Sequence, residues 1–401
     1  MFPAEAEATI LASVPALPAE DCLLLSAAGR ILRSPVRADR DLPPFDRVTM
    51  DGFAFRLGAK PAFVSHEFNI VGFQAAGMIA QTIKLDTDTI EIATGAVLPN
   101  GADTVVPYED VTRTETKMSL ATNAPISVGQ NIHRRASDHR AGETLLNPGT
   151  KLTGREIAVA AACGTTTVRV SVQPRIAVVA TGDELAEIEA QSIAPHQIRR
   201  SNDHALRAGL INAGYQRVER FHFHDVRDEI VQGLRRLLLE FDVIILTGGV
   251  SKGKLDYLPG ALEELNVRKK FQGVAQRPGK PLWFGISNRN TPVFALPGNP
   301  VSTYTCFSRY VLPALKKMSG EAPPAVMYAV LKSALSFKAP LVHFVPVKLE
   351  TTPAGQLQAT PAVTNTSGDF AGLVGTDGFV ELPAGPIDLA AGTVVRFFPW
   401  S

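Results

Sequence analysis

The residues Asp242-Val-Ile-Ile-Leu-Thr-Gly-Gly-Val-Ser251 give the most direct indication of the fold. The run from Val243 to Leu246 is aliphatic and mostly β-branched, which is typical of a strand buried on both faces of a sheet. Gly248 and Gly249 follow at once, and glycine lets backbone N–H groups approach an anion closely. The stretch therefore predicts a buried strand that ends in an anion-binding loop.

The same order of apolar run and polar or glycine-rich loop recurs elsewhere in residues 173–322. These stretches are Arg175-Ile-Ala-Val-Val-Ala-Thr-Gly-Asp-Glu184, the residues from Phe221 through His224-Asp225, and Pro292-Val-Phe-Ala-Leu-Pro-Gly-Asn-Pro300. Helices are predicted between them, over about 202–213 and where Ile230, Leu234, Leu237 and Leu238 recur at helical spacing. The alternation predicts a parallel sheet covered by helices on both faces.

A further helix is predicted after the last of these strands. Asn299 is its expected cap and Pro300 its first residue, because proline is favoured at that position. We expect one inner stripe to face the core, made of Val301, Tyr304, Phe307, Ser308 and Val311.

The remainder of the chain reads as β structure with few helices. In residues 41–139, Thr82-Ile-Lys-Leu85 and Thr89-Ile-Glu-Ile92 alternate apolar and polar residues, which indicates strands. A helix is predicted after a capping box of Thr153 and Glu156, with Gly164 as its end. Residues 323–401 return to short strands. The predicted fold class is α/β plus β, with a sheet covered by helices on both faces and a separate small β domain over residues 323–401.

Composition excludes several classes of function. The 401 residues are 45% hydrophobic, with 40 Lys plus Arg against 39 Asp plus Glu, so no overall basic field could hold nucleic acid or an anionic membrane. The three cysteines form no metal or disulfide pattern, which favours a reducing compartment. We find no export signal and no apolar run long enough to span a bilayer. The expected location is the cytoplasm.

The predicted strand ends carry the residues of an anion and metal site, because ligands bind beyond the carboxyl ends of strands in open α/β sheets. Lys252, Lys254 and Lys280 could neutralise phosphates. Carboxylates could hold the hard divalent cation Mg²⁺, which is usually bound by one or two carboxylates together with substrate phosphates. The candidate metal ligands are Asp183, Glu184, Asp225 and Asp256.

Each candidate has a structural alternative. Asp225 and Asp256 precede predicted helices and could be N-caps. Asp183-Glu184 could be favoured by a helix dipole alone. His222 and His224 project from one strand face and could form a transition-metal site, although no third ligand stands at a diagnostic spacing.

An ordered set of motifs resembles the molybdopterin molybdenumtransferase family, which includes the E domain of gephyrin. The motifs are Gly29-Arg30-Ile31-Leu32, Pro43-Pro44-Phe45-Asp46, Met50-Asp51-Gly52-Phe53-Ala54, Ala93-Thr94-Gly95-Ala96, Gly129-Gln130-Asn131-Ile132, Arg134-Arg135, Thr181-Gly-Asp-Glu-Leu185, Thr247-Gly-Gly-Val-Ser251, Asp256-Tyr257, Pro278-Gly-Lys-Pro281 and Leu296-Pro-Gly-Asn-Pro300. They cover roughly residues 20–320.

The resemblance implies four domains and a homodimer. The domains are residues 1–40 with 140–172, the inserted β domain 41–139, the molybdopterin-binding three-layer α/β/α domain 173–322 and the C-terminal β-barrel domain 323–401. The site would lie between the α/β domain of one chain and the inserted domain of its partner. Asp51, Thr94, Arg134, Arg135 and Asp138 would then complete it from the other subunit.

The resemblance also implies a reaction: molybdenum from molybdate enters adenylylated molybdopterin, AMP leaves, and Mg²⁺ offsets the phosphate charge. The implied catalytic residues are Asp51, Thr94, Asp138, Glu184, Asp225, Asp256 and Lys280. The implied cofactor-binding residues are Thr181, Gly182, Gly248, Gly249, Ser251, Arg277, Pro297, Gly298 and Asn299. An adenylyltransferase would supply the substrate, and neither nucleic acid nor a membrane is an expected partner.

The chain departs from the family pattern at several positions. Lys252 stands where valine is usual, and Arg277 replaces the first lysine of Lys-Pro-Gly-Lys, which exchanges a point charge for a planar fork. In the last domain Thr366-Ser367-Gly368 replaces Gly-Ser-Gly, so no functional role is carried onto that domain. Two alternatives remain: the related molybdopterin adenylyltransferase, which is expected to be a single domain, and a non-catalytic scaffold of the same fold.

Overall fold

A computed structural model describes residues 1–58, 67–121, 126–250, 257–362 and 366–400. The chain forms two compact units. The larger unit comprises Met1–Ser34, Pro148–Thr153 and Thr167–Ser401, and the smaller unit comprises Pro35–Asn147 and Gly154–Thr166. Within the described residues, no helix has the length and the apolar run that crossing a bilayer requires.

The larger unit is built on a six-stranded sheet. Its strands are β1 Ile176–Thr181, β2 Val218–Phe223, β3 Val243–Thr247, β4 Arg268–Gln272, β5 Trp283–Ile286 and β6 Pro292–Leu296. The spatial order is β2-β1-β3-β6-β5-β4, parallel from β2 to β6 and antiparallel from β6 to β4. The predicted sheet was parallel throughout, and β4 and β5 were not predicted. Strand β4 is an edge strand whose charged residues are exposed, so its sequence carries no buried-strand signal.

Helices cover both faces of this sheet. They are α1 Pro3–Ser13, α2 Asn202–Asn212, α3 Arg227–Glu240, α4 Leu258–Glu264, α5 Pro300–Cys306 and α6 Leu312–Ser319, with a π-helical turn Phe307–Val311 between the last two. Alternate residues of β1 face opposite sides. Ile176 and Val178 belong to the hydrophobic cluster that contains Ile10 of α1, whereas Ala177 and Val179 belong to the cluster that contains residues of α3 and α4. This confirms the three-layer α/β/α architecture.

The helix after β6 begins as predicted, with Asn299 before it and Pro300 as its first residue. Phe307 and Val311 of the predicted stripe lie in the core and Tyr304 packs against it. Burial is not confined to the stripe, because every residue from Val301 to Val311 is buried apart from the half-buried Tyr304. Residues outside the predicted stripe contact the C-terminal strands, where Arg309 pairs with Glu381. A helix packed from both sides needs no polar face.

The C-terminal region forms a closed five-stranded barrel, as predicted. Its strands are Met327–Leu331, Val342–Thr351, Leu357–Pro361, Gly378–Leu382 and Val394–Pro399, and pairing between the second and fourth of these closes the ring. The strand Gln276–Arg277 pairs in parallel with Val342 and His343 at the barrel edge. The larger unit also contains three short pairs of strands: Ala19–Leu23 with Thr167–Ser171, Leu185–Ala186 with Ile198–Arg199, and Leu335–Phe337 with Ile387–Leu389.

The smaller unit is mainly β structure. One sheet contains, in spatial order, Thr104–Pro107, Gly52–Phe55, Asp88–Ile92, Glu67–Gln74, Lys117–Leu120 and Val111–Arg113, and two short ladders pair Arg47–Val48 with Ile132–His133 and Val36–Arg37 with Thr144–Leu146. Thr89–Ile92 lies in a strand as predicted, whereas Thr82–Leu85 makes only one isolated bridge, from Thr82 to Asn100. The predicted helix spans Gly154–Ala162, and Gly164 just beyond it has φ of +66°.

Candidate functional site

A cavity of about 250 Å³ opens where β1, β3 and β6 end, and we call it the glycine cavity. Its lining contains Thr181, Gly182, Glu184, Asp225, Gly248, Gly249, Val250, Pro281, Pro297 and Gly298. Most were predicted from separate loops. They meet here because the carboxyl ends of parallel strands share one edge of the sheet.

The turn after β3 requires glycine for steric reasons. Gly248 has φ of +96°, and a Cβ there would lie 2.8 Å from the backbone oxygen of Thr181. Gly249 has φ of +62°, and its Cβ would lie 3.0 Å from Leu258 Cδ1. Residues with a Cβ rarely adopt this conformation, and the contacts at Gly248 would also force the chain apart. The two glycines therefore keep the turn tight and the cavity open.

Asn202 ties two of the strand-end loops together, and sequence reasoning missed it. Its Nδ2 donates to Thr247 Oγ1 at 3.0 Å and to the carbonyl oxygen of Gly298 at 2.7 Å. It is the first residue of α2, directly after the N-cap Ser201, and asparagine near a helix start usually bonds to nearby backbone. The sequence offered no signal that its side chain would instead bridge the ends of β3 and β6.

The carboxylates divide into two groups. Glu184 and Asp225 line the glycine cavity. Asp183 is largely exposed and accepts a hydrogen bond from the backbone N–H of Asp225 at 3.2 Å, with His224 Nδ1 at 3.1 Å from the same oxygen. The N-cap position of α3 is Val226, so Asp225 is not the cap of that helix.

Two carboxylates on a cavity with glycine loops fit a Mg²⁺ ion that keeps water and substrate phosphate as its other ligands. In the part of the chain that the structure describes, no three His, Cys, Asp or Glu side chains group closely enough to hold a metal by themselves. Asp256, Ser251, Lys252 and Lys254, which were also predicted for this site, lie outside the described residues.

The two neighbouring histidines have hydrogen-bond partners of their own. His222 Nε2 lies 3.0 Å from the carbonyl oxygen of Gly182, and the rings of His222 and His224 are 4.9 Å apart. The described residues around them provide no third metal ligand. The hypothesis of a transition-metal site therefore finds no support in this region.

A second cavity, of about 560 Å³, lies between the sheet and the barrel, and we call it the cationic cavity. It shares Pro281 and Pro297 with the glycine cavity. Arg277, Lys280 and Asn299, all predicted from sequence, line it. Its ionisable lining residues are Arg277, Lys280 and His343, without a carboxylate among the described residues, which favours an anionic ligand.

Buried hydrogen bonds of Gln276 support the loop that carries Arg277 and Lys280. Gln276 Nε2 donates to the carbonyl oxygen of Gly279 at 3.2 Å and lies 3.4 Å from Cys306 Sγ, while Tyr310 Oη donates to Gln276 Oε1. Burial raises the pKa of the Cys306 thiol to about 12, so the thiol remains neutral. Gly279 has φ of +90°, and a Cβ there would collide with Cys306 Sγ.

The barrel contributes to this cavity, although no role was assigned to it from sequence. His343 lines the cavity and is the strand partner of Arg277. Ser367 Oγ accepts a hydrogen bond from Asn299 Nδ2 at 2.7 Å, and the carbonyl oxygen of Ser367 accepts one from the N–H of Val301. Packing of segments distant in the chain creates these contacts, so no local pattern could reveal them.

The remaining predicted residues belong to the smaller unit. Asp51 Oδ1 accepts a hydrogen bond from the N–H of Thr94 at 2.6 Å, and bonds from the backbone and side chain of Thr94 lower the pKa of Asp51. Asp138 Oδ1 lies 2.8 Å from His133 Nε2. Two ion pairs also form, between Arg134 and Asp46 at 2.6 Å and between Arg135 and Asp41 at 2.7 Å.

Comparisons with known proteins agree along the chain. Three family models match: the MoeA N-terminal region (domains I and II) over residues 2–164, a probable molybdopterin binding domain over 177–317, and the MoeA C-terminal region (domain IV) over 328–400. A molybdopterin molybdenumtransferase from Synechocystis is 40% identical over 373 residues, which is 93% of each chain. One from Staphylococcus epidermidis is 32% identical over 92% of this chain and 88% of its own.

Two solved structures are also similar to this chain over its whole length. A molybdopterin biosynthesis MoeA protein from Pyrococcus horikoshii OT3 has a TM-score of 0.85 at 26% identity, with 100% of both chains covered. A second structure of a MoeA protein from the same species has a TM-score of 0.80 at 28% identity and covers 100% of this chain and 99% of that one.

Proposed function

The chain belongs to the molybdopterin molybdenumtransferase family, and on that premise we propose that it inserts molybdenum from molybdate into adenylylated molybdopterin. This makes it a transferase of molybdenum cofactor biosynthesis. Water cleaves the phosphoanhydride of the adenylylated pterin and AMP leaves, and the two dithiolene sulfurs bind molybdenum in place of two molybdate oxygens, which leave as water. An adenylyltransferase would supply this substrate, and the reaction would take place in the cytoplasm.

One observation carries the proposal: two cavities of different chemistry adjoin at Pro281 and Pro297. The glycine cavity suits a phosphate group, because its tight turns bring backbone close to the ligand. The cationic cavity suits an oxyanion, because Arg277 and Lys280 line it without a carboxylate among the described residues. A reaction that joins a phosphorylated pterin to molybdate needs both environments side by side.

Glu184 and Asp225 would hold Mg²⁺ in the glycine cavity. When bound, this ion would supply positive charge that offsets the phosphate oxygens. The protein itself contributes position: Gly248 and Gly249 shape the turn, and Asn202 fixes the loop of Thr247 relative to that of Gly298. No side chain needs to form a covalent intermediate, since positioning and electrostatics account for the catalysis.

We also propose that the active form is a homodimer. Asp51, Thr94, Arg134, Arg135 and Asp138 of one copy would reach the cavities of the other. Light scattering on the purified protein should then give twice the chain mass of 43.0 kDa. A monomer at concentrations where the enzyme is active would exclude the shared site.

The test is AMP release from adenylylated molybdopterin by the purified protein. We expect release only when molybdate and Mg²⁺ are both present. Glu184→Gln and Asp225→Asn should each lower kcat by at least about a hundredfold, a typical loss when one charge-stabilising group is removed. Asp228→Asn is the matched control, because Asp228 lies on the same segment but is 81% exposed and pairs with Arg227.

Normal turnover by both cavity variants would disprove the metal assignment. ATP-dependent adenylation of molybdopterin without molybdate consumption would instead identify the chain as the adenylyltransferase. Tight binding of the pterin with no turnover under any metal condition would favour the scaffold.

A further inference from the structure

The cationic cavity contains an ionisable residue that the proposed reaction leaves without a role. Arginine and lysine side chains are cations near neutral pH, whereas histidine can be neutral or charged. His343 is the third ionisable residue of the described lining, and it comes from the barrel rather than from the sheet.

The backbone places His343 directly beside Arg277. The strand Gln276–Arg277 runs parallel to Val342–Thr351, with Arg277 paired to His343. Residues paired in register project to the same side of their strands, and both of these line the cavity. The ring of His343 also stacks on Phe337 at 4.2 Å between centroids and 28° between planes, which fixes its orientation.

The ring nitrogens of His343 are available to a ligand. Within the described residues, neither nitrogen has a hydrogen-bond partner, although the side chain is half-buried. A neutral imidazole donates from one nitrogen and accepts at the other. Because the ring lines the cavity, a ligand there can reach its nitrogens and make the hydrogen bond that the described residues do not supply.

This inference rests on the proposed function. We propose that His343 is a neutral ligand of the oxyanion in the cationic cavity and helps to select a doubly charged tetrahedral anion. Arg277 and Lys280 together match two negative charges. His343 adds a third donor without adding a third charge. Burial, reinforced by the adjacent Arg277 guanidinium, lowers the pKa of His343 to about 4, so the ring is neutral near pH 7 before a ligand binds.

The test is calorimetric titration of the purified full-length protein with sodium molybdate alone at pH 7.5. His343→Phe keeps the stacking on Phe337 but removes the donor, and should weaken molybdate binding about tenfold or more, the usual effect of losing a hydrogen bond to a charged group. His343→Asn keeps a neutral donor and should bind within about threefold of the original. Perrhenate, a tetrahedral monoanion, should bind the original protein more weakly than molybdate.

A second measurement keeps the proposal falsifiable if His343→Phe does not fold. In protein labelled with ¹³C at histidine Cε1, the resonance that is absent from His343→Asn belongs to His343. We expect it to shift during the molybdate titration with the Kd found by calorimetry. An unmoved resonance at saturating molybdate, or no molybdate binding at all, would overturn the proposal.

These results separate the two proposals. If the original protein releases AMP but the His343 resonance does not shift with molybdate, the ligand role of His343 is wrong and the proposed reaction is unaffected. A molybdate-dependent shift of His343 in a protein that never releases AMP would do the reverse.

Discussion

The glycine cavity and the cationic cavity share two prolines but are built in different ways. The glycine cavity is assembled from loops that each follow a strand of one sheet. The cationic cavity is assembled from the loop Arg277–Lys280, the start of α5 and residues of the barrel. The glycine cavity depends on the topology of a single sheet, whereas the cationic cavity depends on how the barrel packs against that loop and α5. Changes to the packing should therefore affect the cationic cavity first.

The largest effect is expected at Arg309, which holds the barrel to the helix behind the cavity. Its side chain is fully buried, lies 2.8 Å from Glu7 and 3.2 Å from Glu381, and sits over the ring of Phe398. Arg309→Met would leave two acidic groups without their partner, which should cost about 3 kcal/mol of stability. Urea unfolding followed by circular dichroism measures this loss.

The matched control is Lys332→Met, since Lys332 makes an exposed ion pair with Glu350 in the same barrel. Exposed pairs contribute little, so this variant should change stability by less than about 1 kcal/mol. Equal destabilisation by both substitutions would show that burial of Arg309 does not set its contribution. If Arg309→Met folds, its affinity for molybdate should fall more than its affinity for the pterin.

The next effect is expected in the glycine cavity. Gly248→Ala places a Cβ 2.8 Å from Thr181 at a φ of +96°, so the turn must open. We expect kcat/KM for AMP release to fall about a hundredfold, as misplacement by about an ångström can do. Gly260→Ala is the control, because a Cβ at that helical position meets no atom within 4 Å. Full activity of Gly248→Ala would mean that the turn does not shape the site.

These two cavities also explain how far sequence reasoning could reach. Thr181, Glu184 and Gly248 were predicted because each follows a recognisable buried strand, and topology brings such ends together. Strand β4 was missed because its exposed Arg-Lys-Lys carries no apolar pattern. His343 and Asn202 were missed because their roles arise from partners distant in the chain: Arg277 for the first, Thr247 and Gly298 for the second.

A smaller effect, largely confined to the cationic cavity, is expected for Gly279→Ala. In Gly279→Ala the new Cβ collides with Cys306 Sγ and lies 2.7 Å from Gln276 Nε2, which displaces the loop of Arg277 and Lys280. The KM for molybdate should rise about tenfold, the equivalent of one lost hydrogen bond to a charged group. The KM for adenylylated pterin should change much less.

Gly273→Ala provides a closely matched control for this variant. Gly273 has φ of +84°, so alanine bears the same backbone strain there, but its nearest neighbour would be 3.9 Å away. If Gly273→Ala raises the KM for molybdate as much as Gly279→Ala does, backbone strain rather than the contact with Cys306 explains the effect.

The smallest effect is a pH dependence of stability at His343. Its pKa is lowered to about 4 in the folded protein, against about 6.5 for an ordinary histidine, first by burial and then by Arg277. The unfolded chain therefore binds this proton first as the pH falls. The stability is complete above about pH 6.5 and declines toward pH 4.

Because water reaches part of the ring, the expected loss of stability between pH 7.5 and 5.0 is about 1 kcal/mol. Thermal melting at the two pH values should show a larger decrease for the original protein than for His343→Phe, which has no ring to protonate. His196→Asn, at an exposed histidine, should behave as the original does. An identical decrease in His343→Phe would mean that His343 is already solvated, and an oxyanion ligand in a partly desolvated cavity would then lose its physical basis.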